Sequence, residues 1–152
     1  MLKYFKDLFL KEESANVDSE NRNHLLQIAS CALFLELANS DDEFTTDEKS
    51  NIIELMEKQF NMSPSSVENL IEQAEEKIVN SVSIYEFTEI VNEQLNNDEK
   101  YEIIKNLWRL AYVDDKLDKY EDYFIKKISN NLNMSNQDRI SAKLEVKDEM
   151  KL

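Results

Sequence analysis

The stretch LELANSDDEFTTDE at residues 35–48 decides how this chain folds, because the stretch LWRLAYVDDKLDKYED at residues 107–122 repeats its pattern. In each stretch an apolar segment of helical spacing runs into an Asp-Asp pair, and an acidic residue near the start of a new helix follows. Equivalent positions lie 73 residues apart and include Leu37 and Leu110, Asp41 and Asp114, and Glu48 and Glu121. We interpret the pattern as an internal duplication of one helix–acidic loop–helix unit.

A second repeated element supports the duplication. The triplet Asn-Met-Ser occurs at residues 61–63 and again at 133–135, and its serine is in each case the expected N-cap of another helix. We therefore predict one helical domain over residues 20–152, with repeat one at about 25–80 and repeat two at about 98–150. Residues 1–19 are predicted to form an amphipathic helix followed by a polar linker.

Composition and spacing predict an all-α, single-domain bundle of seven to eight helices with a pseudo-twofold internal repeat. The chain has no Gly and one Pro, whereas the tight turns of sheet proteins depend on Gly. Apolar residues surround most of the helices predicted at about 20–39 and 98–113, so both should be central. Ser63-Pro64 is typical of a helix start, and Ser83 with Glu86 is typical of a capping box.

Charge narrows the classes of partner. With 18 Lys and Arg against 32 Asp and Glu, the net charge is −14, which repels nucleic acid and anionic membrane surfaces. We expect protein partners with basic surfaces, or cations. The lack of Gly also excludes the phosphate-binding loop and the dinucleotide-binding motif, which both need it.

The first eleven residues are an exception to the acidic composition. Lys3, Lys6 and Lys11 outnumber Asp7, and an apolar stripe runs along the same predicted helix. Neither this segment nor the rest of the N-terminus has an apolar run of signal-peptide or membrane-span length. We expect a cytoplasmic protein whose residues 1–11 either contact the inner membrane peripherally or pack on the acidic body.

The two acidic loops contain more carboxylates than helix capping requires. Thr45 with Glu48, and Asp118 with Glu121, have the spacing of capping boxes. The remaining acids crowd around turns where like charges repel, and Ca²⁺ or Mg²⁺ would relieve that repulsion. The candidate metal ligands are Asp41, Asp42, Glu43, Glu48, Asp114, Asp115, Asp118 and Glu121.

Two interpretations of these loops stay open. The spacing from Asp41 to Glu48 is too short for a twelve-residue calcium loop, and the glycine of its sharp turn is missing. Asp42 and Asp115 also tolerate left-handed backbone, and acids near helix N-termini are favourable in themselves. The loops are therefore either purely structural turns or weak divalent-cation sites.

Both quoted stretches resemble the paired motifs of the tellurite-resistance TerB family, and the similarity extends over about residues 25–143. Members of that family are seven- or eight-helix bundles with internal pseudo-symmetry. The resemblance implies a divalent-metal or calcium role for acids at the matching positions, which are Asp41, Glu43, Glu48, Asp114 and Glu121. One departure is that Asp-Asp stands in each loop where the family usually has Asp-Gly.

The resemblance implies a non-catalytic binding or scaffold domain acting in a tellurite-resistance or stress response. The alternative is a pure protein–protein adaptor without a metal site. A TerB-like domain also begins a membrane-anchored J-domain co-chaperone, but the His-Pro-Asp signature of the J-domain is absent here. No catalytic constellation is recognisable, so we expect no enzymatic activity.

Two isolated features complete the sequence predictions. Glu36 in the first central helix maps onto Arg109 in the second, which suggests an ion pair between the two helices, or else an exposed edge position for Glu36. Cys31 and His24 share one helix, but buried cysteines usually behave as small hydrophobic residues, and we expect that role for Cys31.

Overall fold

Seven α-helices make up the part of the chain that the computed structural model describes, which is residue 6 and residues 19–38, 46–76, 84–113 and 119–152. In chain order they are α1 (Ser19–Ala38), α2 (Thr46–Phe60), α3 (Pro64–Glu76), α4 (Ile84–Gln94), α5 (Asn97–Ala111), α6 (Lys119–Asn131) and α7 (Asn136–Glu149). These ranges contain no strand, so the predicted all-α class is confirmed. The predicted helix at residues 1–11 lies outside them except for Lys6.

Helix starts follow the local signals in the sequence. Pro64 is the first residue of α3, and the Ser63 hydroxyl accepts a hydrogen bond from the backbone N–H of Ser66 at 3.2 Å. In α7 the N-cap Ser135 and Asp138 form a complete capping box. A helix also begins at Ile84, as predicted, although Ser83 itself lies outside the described residues.

The two predicted central helices contact each other in the core. Every residue of α1 from Ile28 to Leu35 is buried, including Ser30 and Cys31, so this helix is enclosed on all sides. The second, α5, contacts α1, α2, α6 and α7 and contributes the fully buried Trp108. The predicted helix extended to Val113, but α5 ends at Ala111, and Val113 is 40% exposed. Burial of this stretch is therefore less complete than predicted.

The two Asn-Met-Ser corners share an asparagine in left-handed conformation. Asn61 and Asn133 both adopt left-handed backbone, with φ of 57° and 59°. Asparagine accepts this conformation more readily than other non-glycine residues, which is why a chain without Gly can end helices here. A side chain distant in sequence also forms a hydrogen bond to the end of the helix before each corner. Gln27 donates its side-chain amide to the Phe60 carbonyl at 3.4 Å, and Asn92 donates its side-chain amide to the Asn131 carbonyl at 2.8 Å.

The last helix packs in a way that has no counterpart in the first half of the described chain. Helix α7 lies against α5 along much of its length, and the indole N–H of Trp108 donates to the Arg139 carbonyl at 3.2 Å. Helix α3 follows the equivalent corner but shows no comparable packing on α1 in the described ranges. In the second half, the final helix thus covers the central helix α5.

Candidate functional site

The structure describes two of the eight predicted metal ligands, Glu48 and Glu121. The other six, Asp41, Asp42, Glu43, Asp114, Asp115 and Asp118, lie outside the described residues, and their role stays a prediction. Within the described ranges, no group of three or more His, Cys, Asp or Glu side chains is close enough to hold a metal ion.

Glu48 and Glu121 occupy the same place in their helices. Each is the third residue of a helix that begins directly after an acidic loop, α2 at Thr46 and α6 at Lys119. Both side chains are half-buried, and the Oε2 atom of Glu48 is inaccessible to solvent. A carboxylate at this position can bond backbone N–H groups at the helix start.

Arg109, near the end of α5, lies at the centre of a network of polar side chains in the described part of the chain. Its guanidinium is 8% exposed and makes a bidentate pair with Glu149 of α7, Nε to Oε2 at 2.8 Å and Nη2 to Oε1 at 3.0 Å. Nη1 donates to the buried side chain of Asn106. This hydrogen bonding and the positive charge hold the pKa of Glu149 below its usual range. The pair fastens the end of α7 to α5.

The predicted ion pair between Glu36 and Arg109 is wrong. Arg109 is within ion-pair distance of Glu149 and Glu102 but not of Glu36, among the described residues. The prediction assumed that equivalent positions of the two halves face each other, whereas α7 covers this part of α5. Burial instead raises the pKa of Glu36, and the nearby positive charge of Lys127 partly offsets this effect.

Lys105 extends the contact between α5 and α7. Its Nζ lies 3.0 Å from Glu102 and 3.8 Å from Glu145, and 5.8 Å from the ring centre of Tyr101. Beside this network, a groove of about 380 Å³ runs between α2 and the ends of α5 and α7. Arg109 and Glu149 line the groove, but they already bond each other there, so its polar groups serve the fold.

Comparison with known proteins assigns the chain to a family. A family-wide sequence profile described as "Tellurite resistance protein TerB" matches residues 27–144. This chain belongs to the TerB family. The predicted resemblance is thereby confirmed over most of the domain. Searches of the curated proteins and of the solved structures found no match.

Cys31 of this TerB-family chain is a core residue, as predicted. It is fully buried in α1, and burial raises the pKa of its thiol to about 12. The reactive thiolate therefore does not form at neutral pH. The side chain of His24 lies outside the described residues.

Exposed acids of the TerB domain form rows along two helices. Glu68 and Glu72 lie one turn apart on α3, as do Glu89 and Glu93 on α4, and all four are exposed. Neither helix contains a Lys or Arg. In the part of the chain that the structure describes, no positive group lies within ion-pair distance of any of the four. We call these pairs the acidic rows.

Neither the Arg109–Glu149 pair nor the acidic rows were predicted from the sequence. A spacing of four between like-charged residues was visible in the sequence and could have identified the rows. The Arg109–Glu149 pair had no such signal, because its partners are 40 residues apart and meet only when α7 packs on α5.

No helix within the described ranges is long and apolar enough to cross a bilayer.

Proposed function

We propose that this chain is a non-catalytic binding domain of the tellurite-resistance type, which holds a basic protein segment through its acidic rows. The observation that carries the proposal is the absence of any ion-pair partner for Glu68, Glu72, Glu89 and Glu93 in the described chain. Elsewhere in the same chain, exposed acids such as Glu54 and Glu145 do have cationic neighbours.

Energetics support a binding role for the rows. Two carboxylates one helical turn apart destabilise a helix by about 0.2–0.5 kcal/mol per pair. The rows therefore lower the free energy of unfolding slightly, and this repulsion is relieved when a Lys or Arg side chain of a partner lies between the two carboxylates of a row. A basic segment also suits the net charge of −14, which speeds the association of oppositely charged partners.

The proposal can be tested with a synthetic amphipathic peptide of Lys and Leu at helical spacing, followed by ¹⁵N NMR. We expect chemical-shift changes concentrated on α3 and α4. The variant E68Q/E72Q/E89Q/E93Q should weaken binding at least tenfold. The matched control is E57Q/D98N/D122N/D148N, which removes the same charge from four other exposed acids and should weaken binding only slightly. Equal weakening by both variants would show that only net charge matters, and would reject the rows as the binding surface.

A divalent-cation site at the acidic loops is a second candidate function. It is supported by Glu48 and Glu121, which present half-buried carboxylates at the helix starts that follow the two loops. Carboxylate oxygens are the preferred ligands of Ca²⁺ and Mg²⁺. We expect E48Q/E121Q to abolish heat release in a calcium or magnesium titration. The neighbouring pair D47N/D122N removes the same charge and should retain it, while a wild-type protein silent to both ions would leave the loops purely structural.

We also propose that the two halves arose as one duplicated unit. The helix starts at Thr46 and Lys119 lie 73 positions apart, and the left-handed Asn61 and Asn133 lie 72 apart. An experimental structure should allow residues 46–76 to be superposed on 119–149 as whole helix pairs. Superposition limited to a single helix would contradict the duplication.

We propose that the protein is cytoplasmic and that residues 1–11 contact the inner membrane peripherally. Their three lysines and apolar stripe support this. Cell fractionation of the full chain and of a variant lacking residues 1–12 tests it. Membrane association that is lost with these residues is expected if they anchor the protein, and identical fractionation would remove the anchoring role.

A further inference from the structure

Helix α7 carries a half-buried basic row and, next to it, an exposed apolar row. Arg139, Lys143 and Lys147 are spaced by four residues along the helix, and the exposed Lys151 follows its end. Residues four apart stack on one face, about 6 Å from turn to turn. Ile140 and Leu144 form the adjoining row and are 47% and 59% exposed. We call this surface the α7 face.

The cations of the α7 face have no acidic partner in the described chain. No carboxylate there lies within ion-pair distance of Arg139, Lys143, Lys147 or Lys151. Lys143 instead lies over the Trp108 ring, 5.2 Å from its centre. In a chain where acids outnumber bases 32 to 18, a row of four cations without an ion-pair partner in the described chain can attract the negative charges of another surface.

A protein helix fits the α7 face better than a lipid surface does. Asp148 continues the apolar row one turn after Leu144 and is exposed. In a membrane this carboxylate would enter the interface beside the aliphatic side chains, at a cost in free energy, and anionic lipid would repel the net charge of −14. Against a protein helix, Asp148 can stay at the solvated rim.

The chain itself contains a helix with the complementary pattern. On α4 the exposed Tyr85, at 61%, precedes Glu89 and Glu93 at the same spacing of four residues. On α3 the equivalent position, four residues before Glu68, is Pro64, so of the two acidic rows only the row of α4 follows an exposed aromatic ring. The row spacing of about 6 Å is common to both helices, which lets several charge pairs form together.

We propose that α7 of one molecule docks against α4 of a second copy, so that the chain associates head to tail. This rests on the proposed function, because it names a second copy as the source of the basic segment that an acidic row binds. The two surfaces are different, so the contact is heterologous; an open assembly keeps a free α4 and a free α7 at its ends, whereas a closed ring has none.

Sedimentation equilibrium of the full chain tests the proposal. The weight-average mass should rise above 17.9 kDa as the concentration approaches ~1 mM, a range suited to a weak interface. Reversal of one surface, by E89K/E93K on α4 or by K147E/K151E on α7, should hold the protein at the monomer mass. Matched controls are E57K/D98K, which reverses two exposed acids outside the acidic rows, and K119E/K126E on α6; both should associate like the wild type. Circular dichroism verifies that each variant is folded.

The decisive arm mixes the two reversed variants. In each variant the two reversed side chains have the same sign as the charges of the surface they would meet, so neither variant should associate alone, but the mixture restores complementary contacts and should regain the mass increase. A mixture that stays monomeric, or a wild-type protein that is monomeric throughout, overturns self-association. If the Lys/Leu peptide still binds the acidic rows in that case, the proposed function survives. Binding of the monomer to phosphatidylglycerol vesicles, lost in K147E/K151E, would instead assign the α7 face to lipid and overturn the docking.

Discussion

The two halves of this chain use charge in different ways. Residues 1–96 contain 20 Asp and Glu against 7 Lys and Arg, a net of −13, whereas residues 97–152 contain 12 against 11, a net of −1. In the described part of the second half, Arg109 and Lys105 join α5 to α7 through acids of both helices. In the described part of the first half, the acidic rows have no cationic neighbour.

This difference separates charges that hold the fold together from charges that are available to a partner. The Arg109–Glu149 pair is bidentate, and Arg109 is largely buried. Breaking such a pair lowers the free energy of unfolding more than breaking an exposed ion pair does. The acidic rows are solvated and mutually repulsive. Substitutions in the two regions should therefore change the free energy of unfolding in opposite directions.

The largest expected effect is at Arg109. We predict that Arg109→Met lowers the free energy of unfolding by about 2–3 kcal/mol, because it leaves buried Asn106 without its partner and removes the bidentate pair. Urea denaturation measures this. Lys58→Met is the control, since it removes the exposed pair with Glu54 and should cost less than about 0.5 kcal/mol. Similar losses in the two variants would mean that Arg109 does not fasten α7.

A smaller effect, of opposite sign in the two halves, is expected from pH. The pKa of Glu149 is lowered in the folded state, so its contribution to stability is present above its unfolded value near 4.5 and is lost as pH falls through the folded pKa. The pKa of Glu36 is raised, so stability falls as pH rises from 4.5 through its folded pKa.

Glutamine substitutions at these two positions separate the contributions. At pH 7 we expect Glu149→Gln to destabilise by less than about 1 kcal/mol, since its side chain is half-exposed, and Glu36→Gln to stabilise. The effect of Glu149→Gln should vanish below the folded pKa of Glu149, and that of Glu36→Gln below the unfolded value of about 4.5. Melting temperatures of both variants, measured from about pH 3 to about pH 8, check this, because carboxyl groups titrate within that range. Two effects of the same sign at pH 7 would contradict the assignment.

The corners should behave alike in the two halves. Asn61→Ala and Asn133→Ala are each predicted to lower the free energy of unfolding by about 1 kcal/mol, since alanine tolerates positive φ poorly. Glycine at either position should be neutral or slightly stabilising. Chemical denaturation of the four variants compares them, and a large difference between the corners would weaken the duplication.

Most of the fold could be predicted from the sequence because its signals are local. The Ser63-Pro64 start and the Asn-Met-Ser corners each depend on a few neighbouring residues, and the structure confirms the helices that they begin. The apolar run of α1 likewise identified a central helix. Such features do not depend on knowing which helices meet.

Tertiary partners could not be predicted in this way. The repeat offset paired Glu36 with Arg109, but the partner of Arg109 is Glu149, which α7 brings from 40 residues away. Packing of α7 on α5 breaks the symmetry on which that prediction relied. Of the predicted cation site, only Glu48 and Glu121 lie among the described residues, so the site stays a prediction.

The free energy of unfolding of E68Q/E72Q/E89Q/E93Q tests most directly whether the acidic rows are reserved for binding. If they are, removing two repulsive pairs should stabilise the chain by about 0.4–1 kcal/mol in urea denaturation at low salt, while the affinity for the Lys/Leu peptide falls. A clear loss of stability would show instead that these carboxylates hold the fold, and would contradict the account.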